Sequence, residues 1–445
     1  MPWFIFFINI LGKRNIKLKY ILLFLANSLF YIWGGITAFF CLCIYCILTW
    51  FFAFCNSRLK NKLLLAVTIA ISTIPLLTVK YLNFFIENLI NIVGKQPLYL
   101  NILIPMGISF FTFEAISLIV DTYRNNNKAP TLLNVFLYLS FFPVITSGPI
   151  LRYKDFEENL KTANKEINYS HSINRIIFGL FKKIIIADKI AIIANFYFDG
   201  LLDNNFSCLG LWIGSIAYTL QLYFDFSGYS DIAIGIGNLM GFKIEENFNN
   251  PYRAYSISEF WKRWHMTLTK WFKDYIYIPL GGNRCSTIRT VFNMMIVWLI
   301  TGFWHGANWS FIIWGLGYFI LLVFEKYIVK EKIKNTFFGH LYTLFFVNIL
   351  WIPFRSDNIK NALIYIKGMF NFTNLDILIE SKAIRYIPLL LFAILLCLPW
   401  DNIFSKYKNN KWVSILKGLS TILIAFIVIC ALANSTYAPY IYGNF

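Results

Sequence analysis

The sequence predicts an all-α, polytopic membrane protein: about ten to twelve transmembrane helices, with re-entrant or interfacial helices around a central polar chamber. Three observations carry this reading. Of 445 residues, 58% are hydrophobic and 19% aromatic while only 14% are charged, and the mean hydropathy is +0.59. A soluble domain is about 25% charged, and a soluble chain of this composition would expose large apolar patches. Apolar stretches long enough to approach a bilayer crossing recur from end to end. Between them, Lys and Arg gather in short connections, as positive-inside flanks do.

Taken in order, residues 1–12 are apolar but short, and their positive charges (Lys13, Arg14) follow the apolar run. A secretory signal has the opposite order and a small-residue cleavage site, so no cleaved signal is expected. Apolar stretches follow at 20–34, 36–55, 63–79, 102–120, 133–150, 175–198, 207–224, 229–242, 289–304, 308–328, 337–354, 386–400 and 413–434. A straight crossing takes about 20 residues, so the shorter or more polar stretches are expected to be partial or re-entrant. Non-helical backbone at membrane depth is tolerated only under protein or in a water-filled cavity. Gly237-x-x-x-Gly241, Gly228, Gly315 and Gly317 suit close helix packing. The polar intervals 121–131, 152–172 and 355–383 read as loops. No repeat or linker divides the chain, which reads as a single domain over residues 1–445.

The formal net charge is +18. It is dispersed over clusters such as Lys13/Arg14/Lys17/Lys19, Arg58/Lys60/Lys62, Lys182/Lys183, Lys326/Lys330/Lys332/Lys334 and Lys406/Lys408/Lys411. Nucleic-acid binders concentrate charge in one patch or stripe, so no nucleic-acid partner is expected. Anionic membrane lipids are the expected partner of this charge. The eight cysteines sit mostly in apolar runs and read as small buried hydrophobes. No metal site is expected: there is no His-x-x-x-His pair, and Cys41, Cys43 and Cys46 have no nearby His or acidic co-ligand.

Residues 225–288 differ from the rest. They hold Asp225, Asp231, Glu245, Glu246, Arg253, Glu259, Arg263, His265, Asp274 and Arg284 in a chain otherwise poor in charge. Within this block, 258–278 reads as one amphipathic helix lying in the membrane interface. Trp261, Trp264, Leu268, Trp271, Phe272 and Tyr275 share a face, while Lys262, Arg263, Lys270 and Lys273 fall mainly on the other. Ser256 and Glu259 form a capping-box pair at its start. His265 falls on or beside the apolar face; spacing alone reads it as a satisfied interfacial histidine or as a functional one.

Four histidines occur, at 171, 265, 305 and 340. His305 lies in the apolar run Leu299-Ile-Thr-Gly-Phe-Trp-His-Gly-Ala-Asn-Trp-Ser-Phe-Ile-Ile-Trp314. Ionisable groups at membrane depth are costly and default to functional candidates, and histidine suits proton transfer near neutral pH. Asn308 and Trp309, at i+3 and i+4, are expected beside it as an amide and an aromatic wall. The residues alone leave open a structural histidine bonded to a neighbouring helix and a catalytic one. There is no Gly-x-Ser-x-Gly nucleophile elbow.

Longer motifs carry a resemblance. They include Pro105-Met-Gly-Ile-Ser-Phe-Phe-Thr-Phe-Glu114 with Asp121-Thr-Tyr-Arg124, Phe141-Phe-Pro, and Gly148-Pro-Ile-Leu-Arg-Tyr-Lys-Asp-Phe156. The central block adds Asp225-Phe-Ser-Gly-Tyr-Ser-Asp231, Asn247-Phe-Asn-Asn-Pro-Tyr252, Phe260-Trp-Lys-Arg-Trp-His265, Pro279-Leu-Gly-Gly-Asn-Arg284 and Gly302-Phe-Trp-His-Gly-Ala-Asn-Trp309. The end, Tyr437-Ala-Pro-Tyr-Ile-Tyr-Gly-Asn-Phe445, fits as well. The chain resembles the membrane-bound O-acyltransferase family, and within it the bacterial alginate O-acetylation branch. One departure is that residues 1–12 supply less than the family's usual first apolar helix.

The resemblance implies an acyltransferase in the cell (inner) membrane. It would move an acyl group, acetyl by default for the branch, from a cytoplasmic thioester (acetyl-CoA or an acyl carrier) to a hydroxyl of an extracytoplasmic polysaccharide or partner protein. No bound cofactor is implied. It makes His305 the catalytic histidine and His265 the family's second histidine. A thioester expels a thiol of pKa about 8.5, whereas the acceptor hydroxyl needs a base. The expected partners are membrane lipids, an extracytoplasmic acyltransferase partner protein and the polysaccharide acceptor. Two alternatives stand: D-alanyl transfer to teichoic acid, which the Pro-Leu-Gly-Gly-Asn-Arg turn disfavours, and a transporter without covalent chemistry, which the lack of self-similar halves disfavours.

Overall fold

A computed structural model describes residues 2–95, 99–124, 129–161, 167–203, 206–330, 332, 335–373, 385–398, 400 and 410–434. The motif at 437–445 and the basic residues Lys334, Lys406 and Lys408 lie outside the described residues. Those described form helices and turns, with no strand, in keeping with the all-α expectation. Among the described residues, seven helices are long and apolar enough to cross a membrane: Ile16–Gly34, Ile36–Leu59, Lys62–Val93, Thr287–His305, Trp309–Val329, Phe337–Arg355 and Lys411–Ala433. The chain is a multi-pass membrane protein. Large apolar side chains stand exposed on these helices, among them Leu63, Ile74, Leu89, Ile422 and Phe426.

The other apolar stretches take different forms. Those at 207–224 and 229–242 merge into one helix, Cys208–Leu239. The stretch 133–150 becomes the short helix Leu132–Leu139 followed by turns, and 175–198 is interrupted by a π-helical turn, Phe181–Ala187. Two of the intervals expected as loops contain helices. Tyr153–Lys161 is one, and Ile359–Met369 is the other, capped by Asn358 accepting from the Asn361 N–H. For Ile359–Met369, the Asn358 cap outweighs the polarity of the interval.

The chain forms two compact units. The first comprises Met1–Arg175 and Ile232–Glu245, the second Ile176–Asp231 and Glu246–Asn444. In the first, Asn15 caps the helix Ile16–Gly34 and Asn61 the helix Lys62–Val93, each through its side-chain oxygen. The helix Ile108–Arg124 is buried along nearly its whole length and carries Glu114, whose carboxylate accepts from the Leu151 N–H at 3.3 Å. Gly107 has φ +77°, and a Cβ there would stand 2.3 Å from the Ile145 carbonyl oxygen, so only glycine fits. The Gly237/Gly241 pair divides its roles: Gly237 packs against Ile244, whereas Gly241 turns the chain at φ +79° with open space around it.

In the second unit, Lys183 Nζ lies 2.6 Å from Asp225 and 2.8 Å from Asp188, and Lys182 pairs with Asp231 at 2.6 Å. The pairs to Asp225 and Asp231 tie the π-helical turn to the helix Cys208–Leu239. Gly228 permits the approach: a Cβ there would come within 2.8 Å of the Gly179 oxygen. The helices Thr287–His305 and Trp309–Phe324 run antiparallel in close contact. A Cβ on Gly302 would meet the Phe311 oxygen at 2.5 Å, and one on Gly315 would meet the Trp298 oxygen at 2.4 Å. Small residues here let two backbones approach as closely as membrane helices do when van der Waals packing holds them.

Candidate active site

Both site histidines belong to the second unit, and the structure corrects how each is presented. The expected single helix over 258–278 is broken into Ile257–Arg263, Met266–Phe272 and a π-helical turn, Lys273–Tyr277. Its start is as expected: Ser256 accepts from the Glu259 N–H, and the Glu259 carboxylate accepts from the Tyr255 N–H. The break falls at Trp264 and His265, and His265 takes a left-handed conformation at φ +43°. Such a backbone costs a residue with a β-carbon roughly 1–2 kcal/mol, so long-range bonds must hold it.

Those bonds come from residues 247–249. The Met266 N–H donates to the Asn247 carbonyl at 2.9 Å, and the Asn249 N–H donates to the Arg263 carbonyl at 2.9 Å. The Asn247 side-chain oxygen accepts from both the N–H and the hydroxyl of Thr267, at 3.3 and 2.9 Å. Trp261, Trp264, Leu268, Trp271 and Phe272 consequently bury themselves within the protein. This segment is therefore not a helix lying on lipid, because its apolar face is consumed by protein contacts.

His265 is 1% exposed, and its Nδ1 lies 3.0 Å from the Asn247 side-chain oxygen. Its ring meets Phe226 edge to face, with centroids 4.7 Å apart. Burial disfavours the imidazolium and pushes the His265 pKa down from 6.5 to about 3. The side chain is neutral through the physiological range.

His305 is the last residue of the helix Thr287–His305, not the middle of a span, and is 2% exposed. The ring is walled by Trp304, Trp314 and Phe354, at centroid distances of 4.8, 4.9 and 5.1 Å. Asn308 and Trp309 lie beyond the end of this helix. The helix ends at His305 and Gly306 extends, so i+3 and i+4 no longer share its face. Asn308 caps the next helix, accepting from the N–H and hydroxyl of Ser310 and donating to the Asp357 carbonyl, while Trp309 is 51% exposed.

Trp304 links the two histidines: its indole lies 4.8 Å from the His305 ring and 6.4 Å from that of His265. The other histidines are elsewhere. His340 contacts the Ala254 carbonyl through Nδ1 at 3.1 Å, and the His171 N–H donates to the Asn168 side chain.

Beside the histidines is a cavity of about 1010 Å³. Lys262, Arg263, Lys273, Lys326 and Lys330 line it, with Trp261 and Trp298 among its apolar walls. Neither histidine lines it. Trp261 and Trp298 pack together at 4.8 Å, both contact Trp314, and Trp314 contacts His305. An aromatic layer thus separates the cavity from the His305 imidazole. Glu325, also on the wall, accepts from the Ser258 N–H at 2.9 Å and from the Ile257 N–H. Residue spacing did not single out Asn247, Glu325, Trp314 or Phe354. Asn247 at least opens one of the sequence motifs; Glu325 was marked only by being acidic within an apolar run.

The sequence is also similar to known proteins. The membrane-bound O-acyltransferase family model matches residues 80–354, which include both histidines. The chain is 41% identical over 302 residues to a probable alginate O-acetylase of Pseudomonas aeruginosa, covering 66% of this chain and 57% of that protein. It is 35% identical over 425 residues to a peptidoglycan O-acetyltransferase of Helicobacter pylori, covering 82% and 79%. It is 33% identical over 252 residues to a teichoic acid D-alanyltransferase of Bacillus subtilis, covering 52% and 62%. The chain thus spans little more than half of the Pseudomonas aeruginosa relative and about four-fifths of the Helicobacter pylori one. With its two buried histidines inside the matched region of an all-helical membrane protein, the chain belongs to the membrane-bound O-acyltransferase family.

Proposed function

We propose that this chain is an O-acyltransferase of the cell (inner) membrane. It takes an acyl group, acetyl in the first instance, from a cytoplasmic thioester and delivers it to a hydroxyl of an extracytoplasmic polysaccharide or of a partner protein. The observation that carries this reading is the arrangement of two buried imidazoles against one indole, Trp304. An acyl transfer to a hydroxyl needs a base in a water-poor site, and two enclosed imidazoles meet that need. The names of the relatives support acetyl transfer to a cell-surface glycan.

In the proposed reaction an imidazole nitrogen of His305 takes the acceptor's hydroxyl proton. The oxygen attacks the thioester carbonyl carbon, the C–S bond breaks, and the proton is returned to the departing sulfur. The products are an ester and a thiol. The cations lining the cavity suit a donor that carries phosphate, and Trp261 and Trp298 offer its thioester arm an apolar wall. Membrane lipids surround the exposed apolar helix faces, and an extracytoplasmic partner protein presents the polymer.

The test is a proteoliposome assay with labelled acetyl thioester inside and a hydroxyl acceptor outside. Label recovered as a hydroxyl ester, with thiol released, supports the reading. A labelled D-alanyl thioester used in preference would favour the teichoic-acid reaction. Uptake of an unaltered solute, with no ester formed, would replace the reading with transport.

A further inference from the structure

We infer that Asn247 is a positioning residue that fixes the tautomer of His265, so that Nδ1 carries the proton and Nε2 carries the lone pair. This rests on the acyltransferase reading only in assigning that lone pair a use in proton transfer.

The argument begins with a donor whose identity is certain. A backbone N–H can only donate, and that of Thr267 points at one terminal atom of the Asn247 side chain, 3.3 Å away. That atom must therefore be the carbonyl oxygen and not the amide nitrogen. The Thr267 hydroxyl donates to the same oxygen at 2.9 Å, and the amide nitrogen faces the Ser230 hydroxyl at 3.4 Å. Because the oxygen has no proton to give, the imidazole nitrogen 3.0 Å from it must supply one. A neutral imidazole has a single N–H. With it on Nδ1, the second nitrogen is basic.

Freedom to escape this arrangement is small. Asn247 is fully buried and Thr267 is 4% exposed. The same two segments are joined by the Met266 and Asn249 backbone bonds, and His265 is held in its left-handed conformation between them. Phe226 packs edge to face on the ring, which limits its rotation. Burial keeps the ring neutral, so the tautomer is the property left to be set.

The experiment uses full-length protein in proteoliposomes with ¹⁵N-labelled histidine. With four histidines in the chain, the His265 signals are assigned by difference against His265→Gln. Wild-type protein is expected to show Nδ1 protonated and Nε2 unprotonated. Asn247→Ala should lose this signature and lower kcat by about 10- to 100-fold with KM little changed, by analogy with the loss when the hydrogen-bond partner of a metal-bound imidazole is removed. Thr267→Val, which removes a different donor from the same oxygen, should keep the signature.

Asn247→Asp retains the acceptor and adds a negative charge that favours the imidazolium. Its signature should stay on Nδ1, and the acidic limb of its pH–rate profile should move to higher pH. The groups facing His265 leave the introduced carboxylate as the cause of that movement. Phe226 and Trp304 are uncharged, Asp225 beside Phe226 is held by Lys183, and Arg263 on the preceding turn is held by Glu259. His305, next to Trp304, is common to every variant.

A proton on Nε2 in the wild type overturns the inference, as does an Asn247→Ala protein with unchanged signature and kcat. The signature is read without turnover. A wild-type chain that transfers no acyl group would defeat the acyltransferase reading while the tautomer result still stands or falls by itself.

Discussion

The indole of Trp314 meets the imidazole of His305 edge to face, with ring centroids 4.9 Å apart and planes at 84°. Trp314 is fully buried and also contacts Trp261 and Trp298 on the wall of the cavity. Trp261 and Trp298, and behind them Trp314, thus stand between the proposed base and the space proposed for the donor, which gives the rings of this layer a part in access as well as in packing.

His305→Ala should lower acetyl transfer by about 10²–10⁴-fold, the range for loss of a general base. His305→Gln should fail as well, because an amide cannot take up and release the proton. Both should reconstitute like the wild type. Transfer above a tenth of the wild-type rate in either variant would remove His305 as the base.

His265 links stability to pH. Its folded pKa is depressed to about 3, below its ordinary 6.5, so the unfolded chain binds the proton more readily. The stability due to the buried neutral ring is complete above about pH 6.5 and is lost progressively as pH falls towards 3. Thermal unfolding in detergent, compared between pH 7 and pH 5, should show a larger drop for the wild type than for His265→Gln. His265→Ala should also lower turnover in protein that remains membrane-inserted.

Access through the aromatic layer predicts the behaviour of Trp298→Ala. Removing this indole should speed modification of His305 by diethyl pyrocarbonate, read by mass spectrometry, while stability falls through loss of core packing by about 3–5 kcal/mol. An unchanged rate of modification would mean that the layer does not limit access.

Charge removal in the cavity separates donor binding from chemistry. Lys326→Gln and Lys330→Gln should raise KM for a phosphate-bearing thioester and leave that for a short, uncharged thioester unaltered. Equal effects on both donors would show that these lysines do not meet phosphate.

Lys183→Met should destabilise the protein by about 3–5 kcal/mol, because it removes the ammonium 2.6 Å from the buried Asp225 carboxylate. Adding Asp225→Leu should restore part of the loss, since a buried pair replaced as a whole costs less than a pair broken.

Much was legible in the residues alone. The apolar runs with basic flanks determined a helical membrane protein, because burying backbone polar groups in lipid leaves helices as the available form for such runs. Ser256 and Glu259 announced a helix start, and Gly228 and Gly315 marked places where backbones touch. Two histidines could be singled out, since imidazoles are rare and costly in so apolar a chain.

Tertiary structure decided how those histidines are presented. Helical periodicity carries through Trp264 and His265, and nothing local announces the break there. It exists because Asn247 and Asn249, distant in sequence, supply backbone and side-chain bonds that the helix would otherwise make to itself. Likewise the wall around His305 is completed by Trp314 and Phe354 on other helices, because the helix ends at the histidine itself. Periodicity describes one element at a time. The neighbours of a side chain, and therefore its tautomer and its access to substrate, are set by contacts between elements, which depend on the packed chain.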